Sequence, residues 1–319
     1  MNSLYQPGNP GHWAGRVDGT EQGLRRWHQE VRSIDLDETQ ELKNAVVLLG
    51  FCCDEGVRRN QGRVGAQNAP AQFRKILAGL PVHFSDQIRL LDAGDVYCQD
   101  TGLEAAQQRL AELVAKIRQQ GGFPLLLGGG HEITYGHFKG LHVEGKSIGI
   151  INIDAHLDIR PLKDGVGNSG TGFYQIADDL SREGKPFHYL ALGIQDISNT
   201  PSLLAYAKDT GTTVIKAEDV HAGNVLEIRK AVQDFAVQVD LVYLTIDLDA
   251  FAAPYAPGVS ALAFNGLVPD VTFQQIFQEI IRLPNLVSVD VAELNPVYDI
   301  DQRTTKLGSD LIFKILQKF

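Results

Sequence analysis

The stretch "SIGIINIDAHLDIRP", Ser147 to Pro161, opens as an apolar run and closes with Asp154, His156 and Asp158 at alternate positions. Residues 147–154 predict a strand buried on both faces, because its apolar residues follow one another without polar alternation. In an extended segment, side chains two apart share a side, so these three polar groups can converge on one point. A lone Asp-x-Asp is more often a cap or a loop, so a site requires matching groups elsewhere in the chain.

Working outward, similar β-rich runs occur at 44–51, 88–94, 123–129, 188–194, 212–215, 241–249 and 286–294, which makes eight strands in all. Between them, 102–120, 225–238, 270–282 and 310–319 carry apolar residues at three- and four-residue steps and predict helices. This alternation predicts an α/β protein with a parallel sheet covered by helices on both faces. No linker or repeat divides the 319 residues, so a single domain over 1–319 is expected, with residues 1–43 as a polar N-terminal arm.

Ligands of such sheets bind beyond the carboxyl ends of the strands. Those exits read "GGGHE", "DAHLD", "DLDAF" and "AELNP", and they supply His131, Asp154, His156, Asp158, Asp247 and Asp249 as candidate metal ligands. Four carboxylates crowded at one sheet edge repel unless cations lie between them. Six donors with bridging carboxylates suit two divalent ions about 3.5–4 Å apart, which can acidify a shared water for attack on a planar carbon. Oxygen donors dominate and no cysteine joins them, which favours manganese, with zinc, cobalt and iron as alternatives. His137 and His142, further along the next helix, read as ordinary surface or packing residues.

The net charge of -10 and scattered basic residues argue against a nucleic-acid partner. No apolar run approaches the roughly 20 residues of a membrane span, and no signal peptide is visible. Cys52, Cys53 and Cys98 lack metal-type spacing and fit reduced thiols, so a cytoplasmic location is expected.

In order and spacing, "GGGHEITYG", "NIDAHLDIRP", "TIDLDAFAAPYAPGVSA" and "DVAELNP" resemble the motifs of the arginase/agmatinase (ureohydrolase) family. The resemblance, which runs from about Val46 to the C-terminus, implies a three-layer α-β-α fold and two Mn(2+) ions per subunit. It implies hydrolysis of an amidine or guanidine C–N bond by a metal-bridging hydroxide, and a homo-oligomer (trimer or hexamer). It also implies that His131 and Asp158 bind one ion, His156 and Asp249 the other, and that Asp154 and Asp247 bridge. Asp158 would hold the hydroxide, and Glu293 would accept hydrogen bonds from the cationic amidinium.

Three features bear on the substrate. "DEGVRRNQGRVGA", Asp54 to Ala66, resembles the segment of the formimidoylglutamase branch, which serves histidine degradation. Arg160 stands where arginases have an asparagine, and a guanidinium there can grip a carboxylate with two parallel hydrogen bonds. Asn168, Ser169, Gly170 and Thr171 occupy the loop in which arginases and agmatinases carry a histidine. The expected substrate is therefore N-formimino-L-glutamate, cleaved to L-glutamate and formamide, with another ureohydrolase activity (guanidinobutyrase, agmatinase or arginase-like) that releases urea from a guanidino substrate as the alternative. Arg160, Arg59, Asn60, Arg63, Ser169 and Thr171 are the expected substrate contacts.

Overall fold

The computed structural model describes residues 4–39, 41–142 and 145–319. Among these, ten strands form one sheet: β1 (Tyr5–Gln6), β2 (Arg32–Ser33), β3 (Ala45–Cys52), β4 (Arg89–Tyr97), β5 (Phe123–Leu127), β6 (Ile148–Ile153), β7 (His188–Ile194), β8 (Thr213–Lys216), β9 (Leu241–Asp247) and β10 (Leu286–Ala292). The helices are α1 (Trp27–Glu30), α2 (Glu55–Arg59), α3 (Ala69–Leu77), α4 (Leu103–Gln119), α5 (Ile133–Leu141), α6 (Gly172–Arg182), α7 (Pro201–Asp209), α8 (Val225–Ala236), α9 (Val271–Ile281) and α10 (Arg303–Leu316).

The strand order is β1-β4-β3-β5-β10-β9-β6-β7-β8, with β2 also on β4. Every pairing is parallel except β1 with β4. All eight expected strands are present. The two additional ones come from the arm and are two residues long, too short to show a period.

Period-two alternation sends the side chains of each strand to two separate cores. In β3, Val46 and Leu48 join the layer of α3, α8, α9 and α10, while Val47 and Leu49 join that of α4, α5, α6 and α7. Both sheet faces are thus dry, which is why the strands read as unbroken apolar runs. The result is the three-layer α-β-α arrangement.

The arm is anchored by polar bonds as well as by packing. The Tyr5 hydroxyl donates to the Ala93 carbonyl at 2.7 Å, and Trp13 Nε1 donates to Asp92 Oδ2 at 2.7 Å. The same Asp92 accepts a forked pair from Arg74 of α3 at 2.7 and 3.0 Å, and Arg74 also donates to Asp95 at 2.7 Å. Arg74 and Asp92 are buried. Removing one partner leaves the other charge stranded out of water, so Arg74→Leu should destabilise the protein by about 3–5 kcal/mol. Urea unfolding measures this, and a loss under about 1 kcal/mol would show that the pair does not hold α3 and the arm to β4.

Candidate metal centre and substrate cavity

β5, β10, β9 and β6 are consecutive neighbours in the sheet, so their carboxyl ends deliver four loops to one place. After β5 the chain turns through Gly128–Gly130, and a Cβ on Gly129 would fall 1.8 Å from the Cys53 carbonyl oxygen. That close approach needs glycine. The Gly129 carbonyl accepts the Glu293 amide at 2.8 Å, and Glu293 Oε1 accepts the His131 amide at 2.8 Å. His131 and Glu293 are thereby locked to each other across adjacent strand ends.

β6 ends at Ile153, and Asp154, His156 and Asp158 converge by a route other than a continuing strand. The chain bends: Asp154 Oδ1 accepts the His156 amide at 2.7 Å, Asn199 Oδ1 accepts the Leu157 amide at 2.9 Å, and Asp158 has a left-handed backbone, φ 48°. Likewise Asp247 and Asp249 meet through a short 3-10 turn in which Asp247 Oδ1 accepts the Asp249 amide at 2.7 Å. Carboxylates capping their own loops, rather than strand alternation, aim these groups.

All six candidate ligands are brought together, in two groups sharing Asp154. His131 Nδ1 lies 2.8 Å from Asp158 Oδ2, 3.2 Å from Asp154 Oδ2 and 3.3 Å from Asp247 Oδ2. His156 Nδ1 lies 3.1 Å from Asp249 Oδ2 and 3.5 Å from Asp154 Oδ1. Asp154 therefore faces both groups, whereas Asp247 stands with the first.

The electrostatics favour added positive charge in the cluster. Burial, then the charges of Asp249 and Asp154, drives the Asp247 carboxyl well above its ordinary range, and burial and Asp154 push Asp249 up to about 6 even though His156 is adjacent. Burial opposes charge on His131, yet Asp247, Asp154 and Asp158 raise its pKa well above the ordinary value. Asp249 Oδ1 and Glu293 Oε2 are buried without a hydrogen-bond partner among the described residues. Orphaned oxygens beside mutually repelling acids fit a pair of hard divalent cations, with His131, Asp154, Asp158 and Asp247 around one and Asp154, His156 and Asp249 around the other.

A cavity of about 320 Å³ opens above this cluster, with His131, His156, Asp158, Asp247, Asp249 and Glu293 at its base. Its wall includes the expected Asn60, Arg63, Arg160 and Ser169. Arg160 Nη1 donates to Asn60 Oδ1 at 3.1 Å, and Asn60 Nδ2 donates to Ser169 Oγ at 3.1 Å. Arg63 lines the wall but spends Nε and Nη2 on the Ser260 and Val259 carbonyls and lies over the Tyr298 ring at 4.3 Å.

Two of the expected contacts stand outside the cavity lining. Arg59 is bound by Glu55 at 2.9 Å and Glu104 at 2.5 Å and does not line the cavity. Thr171 is buried, its hydroxyl held by the Asn168 carbonyl and Gln175 at the start of α6, and it does not reach the cavity either. Gln61, Gly62, Ser260 and Ala261 line the wall without having been expected. Gln61, with φ 62°, sits in the arginine-rich loop, and Ser260 in the motif after β9, so adjacency to those motifs was the available signal.

In the metal-free fold Asp247, Asp249 and His131 all hold protons more tightly than the unfolded chain does, so the stability they contribute is present at low pH and lost as pH rises. For Asp249 the window runs from the ordinary carboxylate range up to about 6, and for His131 it extends above the ordinary histidine range. The melting temperature of metal-free protein should fall between about pH 5 and 8, and a divalent cation should raise it more at the upper end, because ligands bind deprotonated. Scanning calorimetry with and without Mn(2+) checks this. A cation effect equal at both ends would contradict it.

The sequence model of the arginase family matches residues 44–317. A formimidoylglutamase of Ralstonia nicotianae is 42% identical, aligned over 98% of this chain and 97% of its own. One of Clostridium tetani is 38% identical over 98% and 95%. Among solved structures, the formimidoylglutamase of Bacillus subtilis superposes with a TM-score of 0.82 at 22% identity, covering 94% of both chains, and supports the fold. A Trypanosoma cruzi formiminoglutamase solved with Mn(2+) gives a TM-score of 0.75 at 27% identity, covering 89% of this chain and 96% of that one. With the matched segment spanning all four strand exits that build the site, the chain belongs to the arginase family.

Proposed function

We propose that the chain is a binuclear manganese hydrolase that cleaves N-formimino-L-glutamate to L-glutamate and formamide, a step of histidine degradation. The observation that carries this is the polarity of one cavity: a base of carboxylates and imidazoles that includes Glu293, with Arg160 on the wall. An amidinium fits the acidic end, and a carboxylate fits the guanidinium end. The formimidoylglutamase relatives at about 40% identity over nearly the whole chain support the same choice.

Two manganese ions held by His131, Asp154, His156, Asp158, Asp247 and Asp249 would supply positive charge and acidify water beside the amidine carbon. The protein's own groups do the rest. Glu293 is fixed by the His131 amide with φ 64°, and its unpartnered Oε2 is free to accept from the amidinium. Asp158 orients the attacking water by accepting its hydrogen bond; as the water oxygen bonds the amidine carbon, the C–N bond to the glutamate nitrogen breaks and that nitrogen takes the proton the water gives up. Arg160, steadied by Asn60, grips the carboxylate and sets the distance of the reacting carbon.

One observation favours a second candidate. Of the two arginines that line the cavity, Arg160 is bound through the Asn60 side chain, whereas Arg63 is held by the Val259 and Ser260 carbonyls; Arg59, outside the cavity, is held by Glu55 and Glu104. A guanidino acid with one carboxylate would use a single guanidinium. For the glutamate derivative, Ser169, Ser260 and Asn60 would share the second carboxylate.

Manganese-loaded protein, supplied separately with N-formimino-L-glutamate, guanidinobutyrate, arginine and agmatine, should release formamide from the first and no urea from the others. Urea from a guanidino substrate, with no formamide, would transfer the function to the second candidate. Arg160→Ala should raise KM for the formimino substrate by about 10-fold or more with a smaller change in kcat, as loss of uniform binding does. An unchanged KM would remove Arg160 from the site.

A further inference from the structure

Beneath the candidate metal centre, buried polar groups run in series through the sheet: His131 Nε2 to Thr245 Oγ1 at 2.9 Å, Thr245 Oγ1 to Asp290 Oδ1 at 2.7 Å, and Asp290 Oδ2 to His137 Nδ1 at 2.6 Å. The Tyr243 hydroxyl also donates to Asp290 Oδ2. His137 Nε2 meets Ser288 Oγ at 2.6 Å, and Ser288 donates to the Pro124 carbonyl at 2.9 Å. Thr245, Asp290, His137 and Ser288 are buried, and none of them lines the cavity. Neither the cation cluster nor the substrate wall accounts for them.

Donor direction gives the series a meaning. A carboxylate only accepts, so Asp290 takes the Thr245 hydroxyl proton on one oxygen and the Tyr243 and His137 protons on the other. With its proton committed, Thr245 can only accept from His131, whose Nε2 must therefore be the N–H. The Nδ1 lone pair is then left facing Asp154, Asp158 and Asp247, where a cation would sit.

We propose that Asp290, acting through Thr245 and steadied by His137 and Tyr243, is a positioning residue that fixes His131 in the ligating tautomer. The assignment rests on the metal centre proposed above and concerns one of its two ions. It also explains why a polar quartet persists where β9, β10 and α5 pack together, since each member satisfies the next. Asparagine at 290 would keep the shape but reverse the direction. Its carbonyl oxygen belongs opposite the two donors Tyr243 and His137, which turns its amide N–H toward Thr245. Thr245 would then donate to His131 Nε2, and a neutral ring would carry its proton on Nδ1, where the cation must bind.

The test is titration of Mn(2+) into chelator-treated full-length protein, with free ion followed by electron paramagnetic resonance. Wild type and Thr245→Ser, which keeps the hydroxyl, should bind two ions alike. Thr245→Val and Asp290→Asn should weaken one of the two by about 10–100-fold and spare the other. Two ions bound with wild-type affinity by both of these variants would overturn the proposal. So would Thr245→Ser behaving as Thr245→Val does, which would mark a packing effect. A wild-type chain that takes up no manganese would overturn the metal centre and this proposal with it, an outcome distinct from two ions bound alike by every variant.

Discussion

Asp154, Asp158, Asp247 and Asp249 place four carboxylates around two imidazoles at the buried base of one cavity, with Glu293 beside them. Charges of one sign at such separations repel strongly where solvent cannot screen them. The protein accepts this cost at the exits of four neighbouring strands, β5, β10, β9 and β6, and surrounds it with rigid backbone. The same four exits carry the left-handed residues Asp158 and Glu293, conformations that a packed surround must hold in place.

That surround is built from both sides. From above, the 54–66 loop and the 259–261 segment close the cavity wall and are joined by Arg63, whose guanidinium binds carbonyls of one segment from the other. From below, buried Asn152 donates to Asp154 Oδ2, and Thr245 meets His131. His131 is thereby held at Nε2, the ring nitrogen turned away from the carboxylates, and Asp154 is held from the sheet side, which keeps a site in geometry before anything binds.

The fold was legible because the sheet is dry on both faces. Apolar runs such as 188–194 and 241–247 have no other explanation, and the strands stand where the runs do. The departures cluster at the site. Expected strands reaching 129, 154, 249 and 294 end at Leu127, Ile153, Asp247 and Ala292, because the chain leaves the ladder where site residues begin to bond their own backbone. Ligand identity was readable from residue type and order. Partners distant in sequence were not: Glu104 claims Arg59 from 45 residues away, and Asp290 holds His137 from 153. An arginine-rich loop and a histidine in an apolar helix look the same whether or not such a partner exists, so Arg59 read as a substrate contact and His137 as simple packing.

The central claim is that two cations, not protons, balance the cluster. X-ray diffraction from crystals grown with manganese, collected on either side of the manganese absorption edge, tests it most directly. Two anomalous peaks should flank Asp154, one against His131 and Asp158 and the other against His156 and Asp249, about 3.5–4 Å apart. A single peak, or none in protein that turns over substrate, would contradict the account.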